Sequence, residues 1–458
     1  MATISRICDI TFFNKNEKVK RLSSYLYETN LVIDNKEIVY LYVFQSKNYQ
    51  ELKLNNVISD LLQLAYSFLQ QKQLKNHEIH AQATLMEELV ERNLSNLLPR
   101  IIKKAELIKA STTTSSYLDF LDQSYYYEQL DRLALIQNQR IYDDNLQKMG
   151  DTFDVYFLCN KFRIACEMVS RSALLNEQYI PHFIVPCLVQ YEQHSDLYQN
   201  YPALSVYYHA YRFLKESTTH WYLLLKSLLQ LHQNLLYMPE QKHLYTYLLN
   251  FCVRQVNFGK SEYYQEIFEI YQVLIKQNLL LQHGYLTKWS FINATTAGIR
   301  LNELSWTENF IHQYKCFLKE EEEQNTVDYQ LAVLYFAKRD FAKTLQILQQ
   351  VEFTDVFYQA SARIIQLKVF YELDETEAFY ALVKSILNLL RRKQKINEYH
   401  RLSYINFVQL AKLMFDLKLK PRYQISKKQN KIAIQLETLE PLTNKEWLLE
   451  KYNDLKKK

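Results

Sequence analysis

The stretch Asp328-Tyr-Gln-Leu-Ala-Val-Leu-Tyr-Phe-Ala-Lys-Arg-Asp-Phe-Ala-Lys-Thr-Leu-Gln-Ile-Leu-Gln-Gln-Val351 decides the fold. It reads as an apolar helix, a short polar turn and a second apolar helix. Arg363-Ile-Ile-Gln-Leu-Lys-Val-Phe-Tyr-Glu-Leu-Asp-Glu-Thr-Glu-Ala-Phe-Tyr-Ala-Leu-Val-Lys-Ser385 repeats the pattern shortly afterwards. Tyr335 and Tyr371 stand about 36 residues apart, and Thr344 and Ala378 about 34, which is the period of stacked αα-hairpins. One such hairpin cannot bury its own apolar face. It needs neighbours, so the repetition predicts a solenoid.

Composition agrees with helices and excludes several function classes. The 458 residues are 48% hydrophobic, enough for a large core, and include 37 Tyr. Only four glycines occur, Gly150, Gly259, Gly284 and Gly298. Tight β-hairpins, dinucleotide-binding turns and phosphate loops all consume glycine, so four scattered ones argue against each of them. The 55 basic and 50 acidic residues leave a net charge of +5, a mixed surface rather than a nucleic-acid footprint. Cys8, Cys159, Cys166, Cys187, Cys252 and Cys316 sit in apolar segments with neither zinc-knuckle nor disulfide-framework spacing. They predict buried, reduced thiols and a cytoplasmic setting. The N-terminus lacks the apolar run of a signal peptide, and no apolar run approaches the roughly 20 residues of a membrane span.

Working outward, the chain predicts helices almost throughout. An amphipathic helix follows Asn14-Lys-Asn-Glu-Lys18, and Asp34 or Asn35 caps a second. Ile38-Val-Tyr-Leu-Tyr-Val-Phe44 has the residues of a buried strand, yet no partner strand is near, so it reads as helix. Leu54, Val57, Ile58, Leu61, Leu62, Leu64, Ala65, Phe68 and Leu69 form a helical stripe. Helices are expected over about 79–92, 95–110 and 117–148, with Ser111-Thr-Thr-Thr-Ser-Ser116 as a linker. Thr152 or Asp154 then opens an almost wholly apolar helix through Met168. From Pro202 onward helices fall into pairs, with turns at Asn257-Phe-Gly-Lys260 and Leu301-Asn-Glu-Leu304. A last helix over 398–417 is expected to cap the stack and stop at Pro421. Thr443-Asn-Lys-Glu446 has the pattern of a capping box. The expected organisation is therefore an N-terminal helical region (1–110), a central helical region (117–199) continuous with the repeats, an αα-hairpin array (200–418), and a tail with a terminal helix (419–458).

The two hairpins resemble tetratricopeptide repeats. Leu331, Ala332 and Tyr335 match on the first helix, and Thr344, Leu348 and Val351 stand at the matching places on the second. Leu367, Tyr371, Ala378, Leu382 and Ser385 match in the next hairpin, where Lys368 replaces the usual small residue. The repeat's glycine and terminal proline are missing from both. Phe310-Ile-His-Gln-Tyr314 and Asp374-Glu-Thr-Glu-Ala378 also give the chain a resemblance to uncharacterised bacterial helical-repeat proteins. The resemblance implies an all-α, right-handed αα-hairpin solenoid and supplies no reaction.

No constellation of catalytic residues emerges. His77-Glu-Ile-His80 has its histidines three apart, where the zinc-protease motif needs four, and reads as two surface histidines on a helix. Cys159 and Cys166 are one heptad apart and read as packing. Glu320-Glu-Glu-Glu323 reads as a solvated helix end. Arg391-Arg-Lys-Gln-Lys395, Lys427-Lys-Gln-Asn-Lys431 and Lys456-Lys-Lys458 are basic, but lysine and arginine are favoured at helix ends anyway. Lys18, Lys20 and Arg21 would face phosphate if the first helices formed a helix-turn-helix, against the plainer reading of a three-helix cap. Tyr125-Tyr-Tyr127, Tyr207-Tyr208 and Tyr263-Tyr264 could stack bases, but tyrosines at helical spacing are more simply core.

The expected activity is therefore binding. Stacked hairpins curve, and their first helices line the concave side, where repeats of this kind hold a peptide or a partner helix. The repeat register places Asn293, Arg300, Tyr329, Phe336 and Lys368 on that side. An amide, cations and aromatics suit a peptide backbone, a carboxylate and an apolar anchor. The reading is a non-enzymatic scaffold or adaptor, with no catalytic residue, metal or cofactor. The alternative is a nucleic-acid-binding regulator.

Overall fold

The computed structural model describes residues 16–29, 35–111, 116–136, 143–175, 178–350, 356–392, 398–420 and 422–457. Among them every regular element is a helix, apart from isolated bridge residues such as the antiparallel pair Gln282 and Tyr285. None of these helices is long and apolar enough to cross a membrane. The chain divides into two compact units, Met1–Gln241 and Lys242–Lys458.

The first unit opens with α1 (Glu17–Glu28), α2 (Lys36–Phe44) and α3 (Glu51–Asn76). Asn16 and Asn35 cap the first two, their side chains accepting from Lys18 N at 3.0 Å and Glu37 N at 2.8 Å. The cap explains why Ile38–Phe44 is helical despite its β-branched residues. Val39, Tyr40 and Val43 then share a face that packs on Val19, Leu22 and Leu54. The stripe expected along α3 is only half used. Leu54, Val57 and Leu61 are buried, whereas Ile58, Leu62 and Leu69 are exposed. The buried three are those that join the cluster with α1 and α2, so the pair covers only the first half of α3.

Next come α4 (Glu78–Glu91), a 3-10 turn (Ser95–Leu97), α5 (Leu98–Ser111), α6 (Tyr117–Ile136) and α7 (Asn145–Leu175). The helix start expected at Thr152 or Asp154 is absent. Thr152 lies inside α7, its hydroxyl donating to Lys148 O at 2.7 Å, so its polar group is satisfied without ending the helix. Residues 112–115 of the expected linker lie outside the described residues. The unit continues with α8 (Ile184–Gln193), α9 (Ser195–Tyr198), α10 (Pro202–Glu216) and α11 (Thr219–Leu231), and α12 (Met238–Asn257) spans the division. Phe162 of α7 sits among the rings of Tyr191, Tyr208 and Tyr211. Much of the tyrosine content is core of this kind.

The second unit contains α13 (Tyr263–Lys276), α14 (Lys288–Arg300), α15 (Leu304–Tyr314), α16 (Glu320–Ala337) and α17 (Phe341–Gln350). It ends with α18 (Val356–Glu372), α19 (Thr376–Arg392), α20 (Glu398–Lys418), α21 (Arg422–Thr438) and α22 (Lys445–Lys457). The pairs α14–α15, α16–α17 and α18–α19 are hairpins, each packed on itself and on the next. The first helices also touch in series, α14 on α16, α16 on α18 and α18 on α20. Ala332 and Thr344 are completely buried, as close helix crossing requires. Val351 lies outside the described residues.

The hairpin turns solve the missing-glycine problem without glycine. Asn302, Arg339 and Asp374 take left-handed backbone, with φ of 61°, 59° and 59°. The following amides close the helix ends: Glu303 N donates to Gly298 O at 2.8 Å, Asp340 N to Tyr335 O at 2.9 Å, and Glu375 N to Phe370 O at 3.1 Å. This is the Schellman closure, for which glycine is the commonest but not the required residue. All three turns repeat one geometry at three successive hairpins.

Two expectations for the C-terminus are corrected. The helix over 398–417 does not finish the core. Ile432, Leu436, Leu448 and Leu455 from α21 and α22 are buried with Phe407 and Met414 of α20. α20 ends at Lys418, and Pro421 lies outside the described residues. Thr443–Glu446 is not a capping box: Asn444 and Glu446 turn to other helices, as described next.

Candidate functional site

The second unit holds a cavity of about 810 Å³. Its floor comes from α14, α16 and α18, and Asn444 and α22 form the opposite wall. Helical spacing selects the lining. On α14 it presents Trp289, Ile292, Ile299 and Arg300, and on α16 Tyr329, Val333 and Phe336. Ile365 and Lys368 follow on α18. Gln330 is buried where α14 meets α16, and its side-chain oxygen accepts from the Thr295 hydroxyl at 2.9 Å. The same hydroxyl also reaches Phe291 O of its own helix at 2.9 Å, so Gln330 shares it with the α14 backbone.

Four of the five residues placed on the concave side by sequence line this cavity: Arg300, Tyr329, Phe336 and Lys368. Asn293 does not. It faces the Tyr271 hydroxyl of α13, whose pKa burial pushes up to about 12. The opposite wall went unseen in the sequence. Asn444, Glu446, Trp447 and Glu450 lie far along the chain, in a segment whose polar residues looked like a helix cap.

The polar groups of that wall interlock. Arg300 pairs with Glu446. Lys368 Nζ donates to Asn444 Oδ1 at 3.1 Å and lies 4.5 Å from the centre of the Phe336 ring and 5.9 Å from that of Trp447. Lys451, almost fully buried, lies 2.8 Å from both Glu372 Oε1 and Glu450 Oε1. Glu372 also accepts from the Trp447 indole at 3.1 Å. Burial, reinforced by the Arg300 guanidinium, lowers the Lys368 pKa to about 8, while Glu372 and Glu450 pull it back up. The result is a pocket part apolar and part charged, in which Lys368 holds its proton less tightly than an ordinary lysine.

The remaining sequence candidates fall elsewhere. His77 lies between α3 and α4, and with His80 it is not a plain surface pair. Both Nδ1 atoms face one carboxylate of α6, His77 to Asp122 Oδ2 at 2.9 Å and His80 to Oδ1 at 3.2 Å. Asp122 is buried, and its hydrogen bond with His77 Nδ1 ties the start of α4 to α6. Among the described residues no group of histidine, cysteine or carboxylate side chains is arranged to hold a metal ion. Cys159, Cys166, Cys187 and Cys252 are buried, but Cys316 is exposed, contrary to expectation, because it falls in the short 3-10 turn Lys315–Phe317 after α15. Cys8 lies outside the described residues. Lys20 pairs with Glu17 at 2.7 Å within α1, while Arg21 donates to Val43 O at 3.4 Å and Lys18 covers the Phe44 ring, both on α2. Tyr126 is fully buried and donates to Glu106 at 2.9 Å, and Tyr125 donates to Glu87 at 2.5 Å. Of the basic runs, residues 393–395 and Lys458 lie outside the described residues.

No family model, curated protein or solved structure matches this chain.

Proposed function

We propose that this chain is a non-enzymatic interaction protein whose second unit is a tetratricopeptide-like solenoid, and that it takes a peptide or partner helix into the cavity over α14, α16 and α18. One observation carries the reading. The first helices of successive hairpins touch in series, and α22 leaves a hollow over the face they share, lined by Arg300, Tyr329, Phe336 and Lys368. Its volume lies in the range of about 300–1,000 Å³ typical of ligand sites. Trp289, 71% exposed at the rim, adds an aromatic of the kind that dominates binding energy.

The test is selection of a peptide library on the full-length protein, followed by titration of a selected sequence. Val333→Trp fills the cavity from its floor. It is expected to weaken binding of the selected peptide at least about tenfold while leaving helicity unchanged. Selected peptides that bind Val333→Trp as well as the unaltered chain would place binding elsewhere and end the proposal.

A further inference from the structure

Among the described residues, Lys368 in the cavity wall of the second unit forms no ion pair. Lys368 donates only to the neutral amide oxygen of Asn444 and otherwise meets the rings of Phe336 and Trp447. The carboxylates whose fields reach it, Glu372 and Glu450, are held by Lys451, and Glu446 is held by Arg300. Among the described residues none forms an ion pair with Lys368. A part-buried ammonium beside a guanidinium suffers both lost hydration and like-charge repulsion. An anion arriving in the cavity would relieve both at once.

One side of the space beside this ammonium is apolar. Val333, Phe336 and Ile365 form the adjoining floor. The chain also supplies a pattern for what fits: Glu446 puts a carboxylate on Arg300 while the next residue, Trp447, lays an indole into the same wall. We infer that the cavity binds a carboxylate borne on an aromatic or branched apolar body, with the carboxylate against Lys368 and within the field of Arg300, and the body on Val333, Phe336 and Ile365. This rests on the proposal that the cavity is where ligands bind, and adds the chemistry it selects. A free organic acid and an acidic side chain next to an aromatic one both carry that chemistry.

Two matched pairs of probes separate these sources in calorimetric titrations of the full-length protein. One pair is indole-3-propanoate and indole-3-propanamide, and the other is acetyl-Glu-Trp-amide and acetyl-Gln-Trp-amide. In at least one pair the acid is expected to bind about tenfold tighter than its neutral twin, the size of effect a charge-assisted hydrogen bond confers. The preferred pair identifies the source. The preference should vanish in Lys368→Met and in Lys368→Gln, each checked by circular dichroism for unchanged helicity. On the unaltered chain it should shrink as pH rises through about 8, where the ammonium discharges. Equal binding of acid and amide in both pairs overturns the inference but leaves the cavity as a binding site. If none of the four binds, the inference falls, and the Val333→Trp titration decides whether the binding proposal falls with it.

Discussion

Lys451 on α22 and Glu372 on α18 face each other at 2.8 Å, with side chains only 6% and 18% exposed. The same carboxylate accepts from the Trp447 indole at 3.1 Å, so one group on α18 anchors two points of the terminal helix. Removing one partner of a shielded pair leaves the other charge uncompensated, which costs more than the pair's net worth. Glu450 remains beside Lys451 and softens the loss. Glu372→Gln is therefore expected to cost about 1–3 kcal/mol of stability, below the full penalty for a stranded buried charge. Urea titration followed by circular dichroism measures it. A loss within error of zero would show that the terminal helix is held by its apolar residues alone.

Gly298 lies where α14 crosses α15, and here the absence of a side chain is a packing requirement. A Cβ at this position would run into the Thr307 hydroxyl, with the Trp306 ring 3.3 Å away on the same side. Thr307 is fully buried and its hydroxyl donates to Glu303 O at 2.8 Å, so it has little room to yield. Gly298→Ala should destabilise the protein by about 1–3 kcal/mol, the range for overpacking, despite alanine's better helix propensity. Adding Thr307→Ala should restore part of the loss. A Gly298→Ala protein at least as stable as the original in thermal melts would mean that the crossing is looser than the structure has it.

Lys368 makes stability depend on pH in a direction opposite to most lysines. Its pKa falls from an ordinary 10.5 to about 8 in the folded chain, first through burial and then through Arg300. Between those values the unfolded chain binds more protons than the folded one, so this group makes stability rise with pH across that window. Below about 8 the full penalty for burying the charge is present; above about 10.5 it is gone. Lys368→Met removes the penalty. The variant should melt higher than the unaltered protein at pH 7, and the gap should close as pH approaches 10.5. A gap that stays constant with pH would show that packing, not charge, separates the two.

Much of this architecture is local, and local features are what a single sequence exposes. The hairpin periodicity of 328–385 depends on residues a few turns apart, so the helices and their order could be read directly. The same register put Arg300, Tyr329, Phe336 and Lys368 on one face, and they line one cavity. Asn293 shares that register, but its short amide turns to Tyr271, a choice made by a neighbouring helix. The wall formed by Asn444, Glu446 and Trp447 was hidden because it depends on packing across 146 residues of chain, as between Arg300 and Glu446. Nothing in Thr443–Glu446 separates a residue that caps its own helix from one that bonds to another. Asp122 shows the same limit, since only the fold brings it to His77 and His80, 45 residues away in the first case. The left-handed turns at Arg339 and Asp374 were illegible for a different reason: the geometry is imposed by hairpin closure on residues that do not advertise it.

The cysteines give a chemical readout of which parts of the chain are closed. Burial raises the thiol pKa of Cys159, Cys166 and Cys187, so they hold little reactive thiolate at neutral pH as well as lacking access. Cys252 is buried too, whereas Cys316 is exposed after α15. In a Cys8→Ser background, brief treatment with a maleimide at pH 7 should modify Cys316 and leave the other four untouched. In denaturant all five should react. Peptide mass spectrometry assigns the sites. Because a buried thiol reacts only when its surroundings open, labelling of the four should be slower than that of Cys316 by orders of magnitude and should track unfolding. Early labelling of Cys159 or Cys166 in native protein would mean that α7, with Phe162 and its tyrosines, opens independently of the rest. The first unit would then lack the closed core that its packing describes.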